Sequence, residues 1–285
     1  MQFLEILKII FLGIVEGITE WLPISSTGHL LLVDELFTLQ ASDAFKDMFM
    51  VVVQLGAILA VPILFWNKLF PFSFEKKTDG KRTLIADKKI LSLWGKVLVG
   101  CVPAGVIGIL LDDFLESYLH TPLVISLTLI LYGIAFILVE KRNEKKSFPV
   151  QSTNELTYQH AVIIGLFQTL ALIPGTSRSG ATIIGALLIG ISRPVGAKFT
   201  FFLAIPVMFG ASAVKILKFI LASGGFTGVE LGYLFIGTLV AFALSLFTIK
   251  FLMNFVQKHD FKPFGWYRIA LGIVVLAFFT IRARG

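Results

Sequence analysis

Charge is scarce in this chain. Charged residues fill 15% of its 285 positions, against about 25% in an ordinary soluble domain. Hydrophobic residues fill 56%, and mean hydropathy is +0.87. That balance, with apolar runs recurring along the whole length, excludes a soluble globular domain and reads as a polytopic membrane protein. Cysteine is nearly absent. The single Cys101 rules out an intrachain disulfide and leaves the redox compartment undetermined. The opening "MQFLEILKII" lacks both a basic n-region and a small-residue cleavage site, so the segment is expected to be retained rather than removed as a signal peptide. The net charge of +7 is no nucleic-acid signature, because the basic residues fall mostly between apolar segments, where they set topology.

Six apolar runs reach the roughly 20 residues that a bilayer crossing needs. They lie near 43–66, 90–111, 118–139, 195–219, 229–252 and 265–282. Loops 67–89, 140–158 and 253–264 are basic, whereas 112–117 ("DDFLES") carries only acidic charges and 220–228 carries none. Basic loops stay cytoplasmic, which predicts both termini outside.

Two further regions, 3–37 and 159–190, are apolar but interrupted by proline and a polar cluster. Each half is too short to cross alone, so each reads as a re-entrant helical hairpin. "GIVEGITEWLPISSTGH" (13–29) and "GLFQTLALIPGTSRSG" (165–180) share a pattern of glycine, a polar residue three positions on (Glu16, Gln168), proline, then hydroxyls and glycine. Aligned on the prolines, the two need a one-residue gap. Each broken segment precedes three spans, and an odd number of spans inverts the second copy. The fold expected is all-α: six transmembrane helices plus two re-entrant hairpins in an inverted-topology repeat. The first repeat would be 1–139, a cytoplasmic linker 140–158, and the second repeat 159–285.

The polar clusters carry the chemistry. Glu16 and Glu20 are four residues apart and share one helix face. A carboxylate in hydrocarbon costs roughly 2.5–3.5 kcal/mol, so two together should face a wet or metal-holding cavity. Ser25, Ser26 and Thr27 follow Pro23 where a new helix should start, and such a start favours an anion. His29 lies one turn beyond Ser26. The second cluster offers Gly175, Thr176, Ser177, Arg178 and Ser179 at another helix start, with a guanidinium suited to phosphate. A candidate nucleophile, a base, two carboxylates and an anion clamp together suit phosphoryl transfer.

These motifs resemble those of the bacitracin-resistance family of undecaprenyl-pyrophosphate phosphatases. "EGITEWLPISSTGHL" (16–30) is similar to its glutamate-rich motif, "PGTSRSG" (174–180) to its second, and "VVVQLGAILAVPILFW" (51–66) to a further stretch; the likeness runs over essentially the full length. Trp21 stands where the family more often has Phe. The resemblance implies hydrolysis of a polyprenyl pyrophosphate lipid to its monophosphate and inorganic phosphate, dependent on a divalent cation, Mg²⁺ or Ca²⁺. It implies a multi-pass protein of the bacterial plasma membrane whose site opens to the outer face, with a homodimer as a candidate assembly. Carried over by motif position, Glu16, Glu20, Ser26, His29 and Arg178 are the functional set, with Glu16 and Glu20 holding the metal. The nucleophile is left open between Ser26, His29 and a metal-activated water.

Plainer readings compete. Ser25, Ser26 and Thr27 could be helix caps alone. Arg178 could snorkel or pair structurally. His120, His160 and His259 read as interfacial, and Trp66 and Trp94 as interface anchors. The rival function is transport of a lipid phosphate through the same midplane site, since inverted repeats are a transporter layout. A carrier needs charge compensation but no nucleophile and base.

Overall fold

In the computed structural model, residues 2–76 and 82–282 are described. Among the described residues, six helices are long and apolar enough to cross a membrane: α3 (Asp43–Leu64), α5 (Lys88–Leu119, of which Lys88–Leu111 is the apolar part), α6 (Pro122–Asn143), α9 (Arg193–Ser223), α10 (Gly228–Phe255) and α11 (Lys262–Arg282). The chain is thus a polytopic helical membrane protein, with all six spans where hydropathy predicts them. Shorter helices flank the two interruptions. α1 (Gln2–Thr19) and α2 (Ser26–Leu36) bracket the first, and α7 (Tyr158–Thr169) with α8 (Arg178–Leu188) brackets the second, with a 3-10 turn at Leu170–Leu172.

Local chemistry sets the ends. Ser42 accepts the Phe45 amide to start α3, Thr121 accepts that of Val124 before Pro122 of α6, and Thr227 with Glu230 forms a reciprocal capping box on α10. Gly224, at φ 76°, closes α9 in the left-handed region. Pro62, Pro103 and Pro206 sit inside α3, α5 and α9, which neighbouring helices at membrane depth tolerate.

Three details depart from the sequence reading. The basic stretch 67–89 holds a one-turn helix α4 (Trp66–Leu69) and an antiparallel hairpin of β1 (Phe72–Lys76) and β2 (Arg82–Ala86); Lys77 and Lys81 lie outside the described residues. Residues 112–117, expected as a loop, continue α5 to Leu119, because nothing in "DDFLES" breaks a helix. Trp94 is also more than an interface anchor: its indole Nε1 donates to the Leu69 carbonyl at 2.7 Å.

Packing is exchanged between the halves. α1 lies along α10, and α7 lies along α5, while α6 pairs with α11 and α3 with both α9 and α10. Small residues permit these crossings. A Cβ at Gly17 of α1 would fall 2.7 Å from the Ala241 carbonyl of α10. The core centres on Trp21 and the α9 phenylalanines, with Trp21 edge-on to Phe201 at 5.1 Å. Towards the far end of α6, fully buried Glu140 accepts Arg193 Nε at 2.9 Å and the Phe261 amide at 3.0 Å. That one carboxylate ties α6 to the start of α9 and to the loop before α11.

Candidate functional site

Both interruptions use one backbone device. Ser25 (φ 73°, ψ 103°) and Ser177 (φ 69°, ψ 120°) are the non-glycine residues with positive φ among the described residues. Each caps the helix that follows, its hydroxyl accepting an amide three residues on: Gly28 at 3.4 Å and Gly180 at 3.2 Å. Backbone strain of this kind costs about 1–3 kcal/mol and clusters at functional sites. The caps correct the sequence pairing. Ser25 corresponds to Ser177, Gly28 to Gly180 and Glu16 to Gln168 with no gap, so the two prolines are not equivalent. Ser26 and Arg178 therefore occupy matching first positions of α2 and α8.

The two breaks meet at Glu20. One carboxylate oxygen receives Arg178 Nη2 at 2.9 Å and the other receives the Ser26 hydroxyl at 3.2 Å. The Glu20 backbone carbonyl accepts Ser179 Oγ at 3.3 Å. Arg178 also donates to the Thr200 carbonyl of α9 at 2.8 Å, and Ser177 and Ser179 hydroxyls lie 3.1 Å apart. Thr27 is half-buried on the first turn of α2, and Thr176 is fully buried. Gly175 has φ 85°, and a Cβ there would fall 2.7 Å from the Ile125 carbonyl, so only glycine passes.

His29 is bound at both ring nitrogens. Nδ1 lies 2.7 Å from the Ser25 carbonyl and Nε2 lies 2.7 Å from the Tyr267 hydroxyl. The sequence reading pairs His29 with Ser26; here the Ser26 proton faces Glu20 instead.

Glu16 stands apart. It is fully buried, interacts electrostatically with Glu20 and Arg178, and neither of its carboxylate oxygens has a hydrogen-bond partner. Such an orphaned carboxylate is expensive unless something neutralises it. A hard divalent cation fits, since it prefers carboxylate oxygens and takes its remaining ligands from water and phosphate. Among the described residues no third histidine, cysteine or acidic side chain joins the two glutamates. The remaining ligands would have to be substrate or solvent oxygens.

Sequence reasoning placed α11 as a span but missed the side chains it brings to the breaks. Arg268 is wholly buried, donating from Nη1 to Pro23 O at 3.2 Å and from Nη2 to Gly175 O and Thr176 O, each at 2.9 Å. One guanidinium thus braces both breaks. Its signal was present: an arginine inside the apolar run "GWYRIALG" is itself a pointer to function.

Comparison with known proteins bears on this arrangement. The family described as bacitracin resistance protein BacA matches residues 9–274. The chain is 62% identical over 276 residues to an undecaprenyl-diphosphatase of Enterococcus faecalis, covering 97% of this chain and 98% of the relative. It is 54% identical over 283 residues to an undecaprenyl-diphosphatase of Desulfitobacterium hafniense, covering 99% of each. It is also 54% identical over 282 residues to undecaprenyl-diphosphatase 1 of Clostridium acetobutylicum, covering 99% of this chain and all of that one (100%).

Proposed function

The chain belongs to the bacitracin resistance protein BacA family, and from that premise we propose how its two breaks act on the substrate that its relatives' names give. The protein is an undecaprenyl-diphosphate phosphatase of the membrane. It hydrolyses the lipid pyrophosphate to the monophosphate and inorganic phosphate, which returns the carrier to cell-wall synthesis and confers bacitracin resistance.

The observation that carries the mechanism is the convergence of Ser26 and Arg178 on Glu20. Ser26 Oγ attacks the terminal phosphorus and its proton passes to Glu20, the acceptor it already faces; the lipid monophosphate departs with the bridging oxygen. Water then attacks the phosphoserine, its proton passing to His29, while the departing Ser26 oxygen takes its proton back from Glu20. Arg178, with Ser25, Thr27, Gly175, Thr176, Ser177, Ser179 and the amides of the α2 and α8 starts, neutralises the phosphates. Glu16 and Glu20 would hold a divalent cation, Mg²⁺ or Ca²⁺, which when bound supplies charge neutralisation of the diphosphate.

The two broken segments act as re-entrant hairpins of an inverted repeat, 1–139 and 159–285. What supports this reading is the matched capping and the reciprocal packing of α1 on α10 and α7 on α5. The basic loops favour a plasma-membrane protein whose site opens to the outer face. The same layout would suit a carrier for a lipid phosphate.

Phosphate release from a C55 prenyl pyrophosphate by detergent-purified protein, with and without EDTA, tests the reading. Metal-dependent release that Ser26→Ala abolishes supports it. Release indifferent to Ser26→Ala removes the serine step, and no release from folded protein leaves transport.

A further inference from the structure

His29 carries one proton when neutral, and its surroundings say where. The Ser25 carbonyl, 2.7 Å from Nδ1, can only accept, so Nδ1 bears the hydrogen. Nε2 therefore presents a lone pair. The Tyr267 hydroxyl, 2.7 Å from Nε2, must be the donor. The two rings are nearly parallel, at 10°, with centroids 5.6 Å apart. Tyr267 is 47% exposed, whereas Arg268 beside it is wholly buried. Two adjacent residues of α11, about 100° apart around the helix, thus do different things: buried Arg268 braces the two breaks, and the more exposed Tyr267 meets the basic nitrogen of His29.

We propose that Tyr267 both holds and serves His29: its hydroxyl holds the imidazole with Nε2 as acceptor, and it relays to Nε2 the proton that the hydrolytic water gives up. As the water oxygen bonds to phosphorus, its proton moves to the Tyr267 oxygen and the phenolic proton moves to Nε2. The tyrosine ends unchanged and the imidazolium releases its proton to solvent after phosphate leaves. No other group is consumed. This rests on the reading of His29 as the base for the second step.

The test compares wild type, Tyr267→Phe, His29→Gln and the double variant in detergent, assayed for phosphate release from C55 prenyl pyrophosphate, with thermal unfolding of each as a control. Tyr267→Phe is expected to lower kcat about a hundredfold without raising KM, the lower end of what a positioned proton-transfer group contributes. On the His29→Gln background the same change should cost less than twofold, because the tyrosine acts through the histidine. Two protons in flight should also give wild type a bowed dependence of kcat on deuterium fraction, linear in Tyr267→Phe. An unchanged kcat, a loss confined to KM, or losses that multiply independently would overturn the proposal. Should His29→Gln itself be fully active, the base assignment fails instead, and that result is read separately from the tyrosine's.

Discussion

The two breaks share a backbone and differ in what hangs from it. Each is a helix that stops, a strained serine cap at positive φ and an eleven-residue helix whose third amide is a glycine. At matching places the first break carries Glu16, Ser26 and His29, and the second carries Gln168, Arg178 and Ala181. The duplicated geometry makes two anion-favouring helix starts point into one region. The side chains then differ: both breaks carry hydroxyls, but the first holds the two glutamates and His29, and the second holds the arginine. The two breaks match in backbone and capping and differ in the side chains they present.

That division can be broken most severely at the paired first positions. Ser26→Ala should drop phosphate release at least a thousandfold, whereas Arg178→Lys, which keeps the charge but loses the simultaneous bonds to Glu20 and Thr200, should cost on the order of a hundredfold; steady-state phosphate assays separate the two. Glu16→Gln makes the breaks alike at one site. It should lower metal-dependent activity about a hundredfold while thermal stability holds or rises, because an orphaned buried carboxylate is removed. A clear fall in melting temperature would mean that Glu16 is a structural partner. Arg268→Gln loosens both breaks together, and denaturation in detergent should register a loss of about 2–3 kcal/mol. The smallest effect is at the caps. Ser177→Gly should shift stability by only a few tenths of a kcal/mol, since glycine relieves the positive φ as it gives up the cap, while Ser177→Ala should cost about 1 kcal/mol.

Much of this was legible in the sequence, for stated physical reasons. Hydropathy located the spans because a bilayer demands length, and the polar interruptions exposed the breaks because Glu16, Glu20 and Arg178 are costly in lipid. The gapless pairing was not legible, since Pro23 and Pro174 attract an alignment that the serine caps reject. The acceptor of the Ser26 proton was also hidden. Spacing puts His29 one turn away, but which groups face each other depends on where α8 brings Arg178 and where α11 brings Tyr267. Those partners lie more than 150 residues from the first break in sequence, beyond any local pattern.

The exchange of α1 onto α10 and α7 onto α5 has a consequence for biosynthesis. The first helix to leave the ribosome must wait for one of the last before it has its main neighbour, and Glu20 must wait for Arg178. The nascent amino-terminal half therefore carries its acidic residues into the membrane without their counter-charge. A chain stopped after α8 would contain Glu16, Glu20, Ser26, His29 and Arg178 and still lack the helices that hold them together. The site becomes whole only when the final helix, which carries Arg268 and Tyr267, arrives.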